Sequence, residues 1–157
     1  MATEEVCYTR ESALEKAIEM ERISFEAYKE AYLKVKDRRA KDLLRDLALD
    51  ELKHKYTLEK AFFEDIVLLH DTGAKEGPSM NLALLSAQKT LDESSTDQDV
   101  MIYAIHDEKR AVDFYKGMAE QCEGTPMRPM LMRLYEDELN HLAQLEKIYE
   151  SVYMKEM

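Results

Sequence analysis

The sequence predicts an all-α four-helix bundle made of two copied helical hairpins, on three observations. The chain of 157 residues holds only 4 Gly and 3 Pro, too few turn formers for many short strands and well suited to long helices. Apolar residues recur with a helical period in four long blocks. The chain also repeats itself: a slide of 87 residues lays 17–60 on 104–147 with 14 identities in 44 positions and no gap.

The first block predicts a helix from about Glu11 to Lys36, with Leu14, Ala17, Ile18, Glu21, Phe25, Tyr28 and Tyr32 facing in. Asp37 is suited to break it and cap its successor. The second helix is predicted from about Arg38 to Leu69, with Leu44, Leu47, Glu51, His54, Leu58 and Phe62 inward, and it ends at His70, Asp71-Thr72-Gly73 and Gly77-Pro78. Residues 71–95 read as a long crossover, with a short helix from Asn81 to Leu91 covering an edge. Thr96 then caps a third helix whose inward positions are Met101, Ala104, Ile105, Glu108, Ala111, Val112, Tyr115 and Met118. Gly124 ends it. Thr125-Pro126 reads as cap and first residue of a fourth helix running to about Met154, with Leu131, Leu134, Glu138, His141, Leu145 and Ile148 inward. The expectation is a single domain over 1–157: one repeat at about 11–70, the crossover, and a second repeat at about 96–154.

A formal net charge of −11 disfavours nucleic acid and anionic membrane surfaces as partners. No apolar stretch has the length of a membrane span. The acidic start Met1-Ala2-Thr3-Glu4-Glu5 has no apolar run behind it, so no leader is expected. Cys7 and Cys122 form no CxxC pair and no metal-ligand spacing. These features predict a cytoplasmic protein with reduced thiols.

The polar identities of the repeat carry the chemistry. Asp50-Glu51-Leu52-Lys53-His54 and Asp137-Glu138-Leu139-Asn140-His141 each contain Glu-x-x-His. Residues three apart share a helix face, so each pair can grip one ion. Glu21 lies 16 residues before Asp37 and Glu51 lies 14 after it; Glu108 and Glu138 stand in the same relation to Gly124. At 1.5 Å per residue all four glutamates sit roughly 21–24 Å from their turns. Two hairpins about a pseudo-twofold axis therefore bring Glu21, Glu51, His54, Glu108, Glu138 and His141 to one level. Four buried carboxylates need compensation, because even one unpaired buried charge is costly. Two divalent cations supply it, each taking one terminal Glu, one His and a share of the bridging Glu pair. Oxygen-rich ligation with one imidazole per ion suits iron or manganese better than structural zinc.

This pattern of one Glu on each of two helices and Glu-x-x-His on the other two is that of ferritin-like di-metal bundles. The chain resembles the di-iron domain of the rubrerythrins over about 11–154. The matching text is Ala17-Ile18-Glu19-Met20-Glu21 with Phe25 and Tyr28, then Leu47 to His54, then Ala104-Ile105-His106-Asp107-Glu108 with Tyr115, and Asp137 to His141. The resemblance implies a ferritin-like fold, two iron ions, and reduction of hydrogen peroxide or oxidation of ferrous iron by oxygen or peroxide. It also implies a homodimer. The sequence departs from the family twice. It holds no rubredoxin segment with two CxxC pairs, so a separate electron-donor protein is expected. Where rubrerythrins carry a further Glu one turn after the third-helix ligand, this chain has Ala111, which predicts a more symmetric site.

Asp50 and Asp137 directly precede the motif glutamates and are placed to accept the free ring N–H of the opposite half's histidine. Tyr28 and Tyr115 follow Glu21 and Glu108 by seven residues, on the same face two turns on. They are candidates to hydrogen-bond ligand carboxylates or pass electrons, although core tyrosines commonly serve packing alone. The functional expectation is a peroxidase or ferroxidase in which a ferrous pair gives one electron from each ion. The competing expectation is a non-enzymatic protein that captures iron for sequestration, storage or sensing.

Overall fold

The computed structural model describes residues 7–64, 83 and 90–154. Within them the chain forms four helices and no strand: α1 (Arg10–Lys34), α2 (Arg38–Phe63), α3 (Asp97–Gln121) and α4 (Arg128–Tyr153). α1 packs along α2, and α3 along α4.

The helix starts follow local side-chain chemistry. Thr9 accepts the Ser12 N–H while Ser12 Oγ accepts the Thr9 N–H, a reciprocal cap that satisfies two donors at the start of α1. Thr96 and Asp99 do the same for α3. Asp37 accepts from Ala40 N and starts α2 as its sequence suggests. α4 departs from expectation. It starts at Arg128, with Met127 as a cap that makes no side-chain bond and Pro129 in the first turn. Thr125 is instead occupied in the preceding turn, where its hydroxyl donates to Cys122 O at 2.7 Å. Gly124 adopts φ 78°, a left-handed conformation that permits this turn.

Three apolar clusters fill the interior. One, around Leu14, Leu58, Met118, Cys122 and Leu131, joins the start of α1, the end of α2, the end of α3 and the start of α4. Another, around Val35, Ala40, Leu44, Leu91 and Val100, lies at the opposite end. The third packs Ile105, Val112 and Leu142 between α3 and α4. The end of α2 and the start of α3 therefore lie at opposite ends of the bundle. At the first end Arg10 donates to the carbonyls of Ala61 and Glu64 at 2.7 and 3.1 Å, satisfying acceptors that the end of α2 leaves open. At the other, Gln98 donates to Tyr149 Oη at 3.0 Å.

Three expectations need correction. Tyr32 and Ile148 were expected inward and are 37% and 49% exposed. α1 instead turns Ser24 and Ala31 inward, and α4 turns in Leu142, Ala143 and Glu146. The two cysteines were expected as reduced thiols. They form a disulfide across 115 residues, tying the segment before α1 to the end of α3. The predicted helix from Asn81 to Leu91, the end of the second helix beyond Glu64 and His70 lie wholly or largely outside the described residues. Among the described residues no helix is long and apolar enough to cross a membrane.

Candidate metal centre

Each helix turns a glutamate into the interior between the two end clusters, and α4 buries a second, Glu146. Glu21, Glu51, Glu108 and Glu138 are all buried, each at most 6% exposed. His54 and His141, one turn beyond Glu51 and Glu138, stack face to face with ring centroids 4.3 Å apart and planes 5° from parallel. His54 Nδ1 lies 3.6 Å from Glu21 Oε2 and 3.9 Å from Glu51 Oε2. His141 Nδ1 lies 3.6 Å from Glu138 Oε2.

These separations are long for hydrogen bonds and suited to a shared ion. Ligands about 2.1 Å from one ion stand at most about 4.2 Å apart. Donor atoms of Glu21, Glu51 and His54 lie within 4.8 Å of one another, a bound somewhat wider than that span, and so do those of His54, Glu138 and His141. The first hairpin thus closes a group by itself, whereas the second closes one through His54. Glu108 stands outside both compact groups, yet it acts on the carboxyls of Glu51 and Glu138 and lines the same cleft as His54 and His141. All six residues singled out by spacing are therefore brought together.

The electrostatics of the cluster are those of crowded, buried acids. Burial, then the charge of Glu138, pushes the Glu21 and Glu108 carboxyls well above the ordinary range. Burial, then hydrogen bonding to Glu21, pushes Glu51 up to about 11. Burial also acts to raise Glu138, but the nearby His141 and Glu108 outweigh it and bring that group down to about 2. Without a cation, burial and mutual repulsion favour the protonated form of Glu21, Glu51 and Glu108. His54 Nδ1, His141 Nδ1 and Glu108 Oε2 are fully buried and have no hydrogen-bond partner among the described residues. Orphaned buried acceptors of this kind are rare and costly. An ion bound by those atoms removes the cost.

The surrounding candidates separate. Asp137 is half-buried, and both His141 and His54 act on its carboxyl, which burial raises overall. Asp50 is exposed at the rim of a cleft that leads to His54 and His141. Tyr28 and Tyr115 are buried, but neither hydroxyl binds a ligand carboxylate: Tyr28 donates to Asp107 Oδ2 at 3.1 Å and Tyr115 to the carbonyl of Ala17 at 3.4 Å.

Asp107 is the residue that sequence reasoning missed. It is 7% exposed and accepts from Ser24 Oγ at 2.9 Å, Tyr28 Oη at 3.1 Å and Arg110 Nη2 at 3.0 Å. Its carboxylate links α1 to α3 beside Glu108. The available signal was an acid among the apolar inward residues Ala104, Ile105 and Ala111, with Arg110 one turn on. Repeat symmetry hid it, because its counterpart in the first hairpin is Met20.

Fold and site together define an all-α four-helix chain with a buried carboxylate–histidine cluster between its hairpins. No family model, no curated protein and no solved structure matches it.

Proposed function

We propose that the chain is a non-haem di-iron carboxylate protein of ferritin-like architecture, similar to the rubrerythrins, that reduces hydrogen peroxide or dioxygen with electrons from a separate donor protein. One observation carries the reading: four carboxylates and two imidazoles converge in the core, and both Nδ1 atoms are buried with no partner among the described residues. In this reading the hairpins are a duplicated unit, and the opposite placement of the α2 end and the α3 start is compatible with the crossover expected over 71–95.

Glu21, Glu51, His54, Glu108, Glu138 and His141 would hold the ions. Carboxylate oxygens with a minority of imidazole nitrogens suit iron, and also manganese. When bound, the ferrous pair supplies the two electrons that reductive cleavage of an O–O bond consumes. The chain's own part is positional and electrostatic. Its four carboxylates balance the charge of two divalent ions. The stacked rings hold both Nδ1 atoms on the side facing the glutamates. Asp137, beside both imidazoles, is placed to take a ring N–H and fix its tautomer. Tyr28 and Tyr115, with the apolar clusters above and below, close the cluster off along the bundle axis and leave the cleft between α2 and α4 as its approach.

The test is anaerobic loading with ferrous iron followed by mixing with peroxide or oxygen. Oxidation of two irons per chain, repeated after each re-reduction, supports the enzyme. Uptake of many irons per chain supports the store instead. Glu51→Ala or Glu138→Ala must abolish either behaviour; unchanged metal content in both variants refutes the ligand assignment.

A further inference from the structure

The space beside the cluster is larger than hydrogen peroxide or dioxygen needs. A cleft of about 320 Å³ opens between α2 and α4 and runs in to Glu51, His54, Glu108 and His141. A water molecule takes about 30 Å³ of liquid, and either small oxidant has only one heavy atom more. Pockets for organic ligands start at about 300 Å³. The cleft is therefore ample for an oxidant and of the right size for a small organic molecule.

Its lining states which kind. Leu47, Leu145 and Ile148 give it apolar walls. Ile148 is 49% exposed, so the apolar lining extends to the mouth. Asp50 and Lys53 lie at the rim with opposite charges, and together they favour no charged group. The net charge of −11 disfavours an anionic tail at long range. The polar end of the cleft is the ligand cluster itself.

We propose that this cleft binds a neutral organic hydroperoxide, with its O–O end toward His54 and His141 and its alkyl or aryl group against Leu47, Leu145 and Ile148. The proposal rests on the di-iron reading above and names its substrate class. The chemistry balances as ROOH + 2 Fe²⁺ + 2 H⁺ → ROH + H₂O + 2 Fe³⁺. The O–O bond would break with two electrons supplied by a bound ferrous pair and two protons from solvent. The alcohol leaves through the open mouth.

Binding is tested first without redox chemistry. The protein loaded with zinc is titrated with 2-phenyl-2-propanol, the alcohol formed from cumene hydroperoxide, while methyl NMR signals are followed. Saturable shifts at Leu47, Leu145 and Ile148 are expected. Ile148→Trp, which fills the mouth from an exposed position, should remove them, and Ile148→Ser should weaken them. The ferrous protein is then mixed with cumene hydroperoxide or hydrogen peroxide. Ile148→Trp should slow the organic oxidant roughly tenfold or more, the usual scale for loss of an apolar subsite, and leave the hydrogen peroxide rate unchanged. Oxidation by hydrogen peroxide with no shifts from the alcohol, or an equal loss for both oxidants, overturns this proposal and leaves the di-iron reading standing. A chain that retains no metal overturns both.

Discussion

At the scale of the residue, the cluster makes opposite demands with and without metal. Glu51 is raised to about 11 by burial and by Glu21, against an ordinary value of 4.5. Its folded-state affinity for a proton exceeds that of the unfolded chain. Its favourable contribution is therefore complete below pH 4.5 and is lost progressively as pH rises toward about 11. Glu21 and Glu108 are shifted in the same direction. Glu138, lowered to about 2, contributes stability above pH 4.5 that is lost only as pH falls toward about 2. Metal-free protein should thus melt lower at about pH 8 than at about pH 5.5. Metal affinity should rise over the same interval, because binding displaces protons. Glu51→Gln should flatten the metal-free dependence, raise the melting temperature at the higher pH and weaken metal binding. Calorimetric melts of both proteins at the two pH values check this; a steeper dependence in the variant would contradict it.

Asp107 makes a second residue-scale case. Replacing it by Ala leaves the Ser24 and Tyr28 hydroxyls buried without their acceptor. Each buried unsatisfied group costs about 1–3 kcal/mol. Urea unfolding of Asp107→Ala should show a loss on that scale, while Asp107→Asn, which keeps an acceptor oxygen, should lose less. The six candidate ligands were legible because repetition and fixed spacing single them out. Asp107 was not, because it is an asymmetry, and a search for repetition passes over asymmetry.

At the scale of the element, helix starts were readable where one side chain decides them. Asp37 and Thr96 cap α2 and α3 from the positions their chemistry suggests. Thr125-Pro126 has the same signature before α4, yet Thr125 spends its hydroxyl on Cys122 O, and the helix starts at Arg128. Thr96→Ala should therefore cost about 1 kcal/mol, whereas Thr125→Ala should leave α4 capped as before; denaturant unfolding separates the two. The inward stripes were readable to within about one position, because a 3.6-residue period leaves a face of finite width. Ile148 shows where that fails. Period places it inward, but α2 and α4 part there into the cleft.

At the scale of the whole molecule, the four helices were legible from few glycines and prolines and from four long blocks of helical period. The disulfide was not, because nothing in a spacing of 115 residues brings Cys7 to Cys122; only the packed ends of α1 and α3 do. The bond joins the two hairpins whose shared interior holds the cluster. A disulfide closing a long loop contributes about 2–4 kcal/mol. Reduction, or Cys7→Ser with Cys122→Ser, should lower the melting temperature and speed loss of metal to a chelator. Identical melts and identical metal loss in the oxidised and reduced proteins would show that the bond is not needed to hold the hairpins together.

The most direct measurement is the metal stoichiometry of the purified chain. The metal-free protein is titrated anaerobically with ferrous iron, and bound metal is counted after gel filtration, for wild type, Glu51→Ala and Glu138→Ala. Two ions per chain in wild type, with loss of binding in each variant, is the predicted result. A wild-type chain that retains no metal under any loading, or variants that bind as wild type does, would contradict the account.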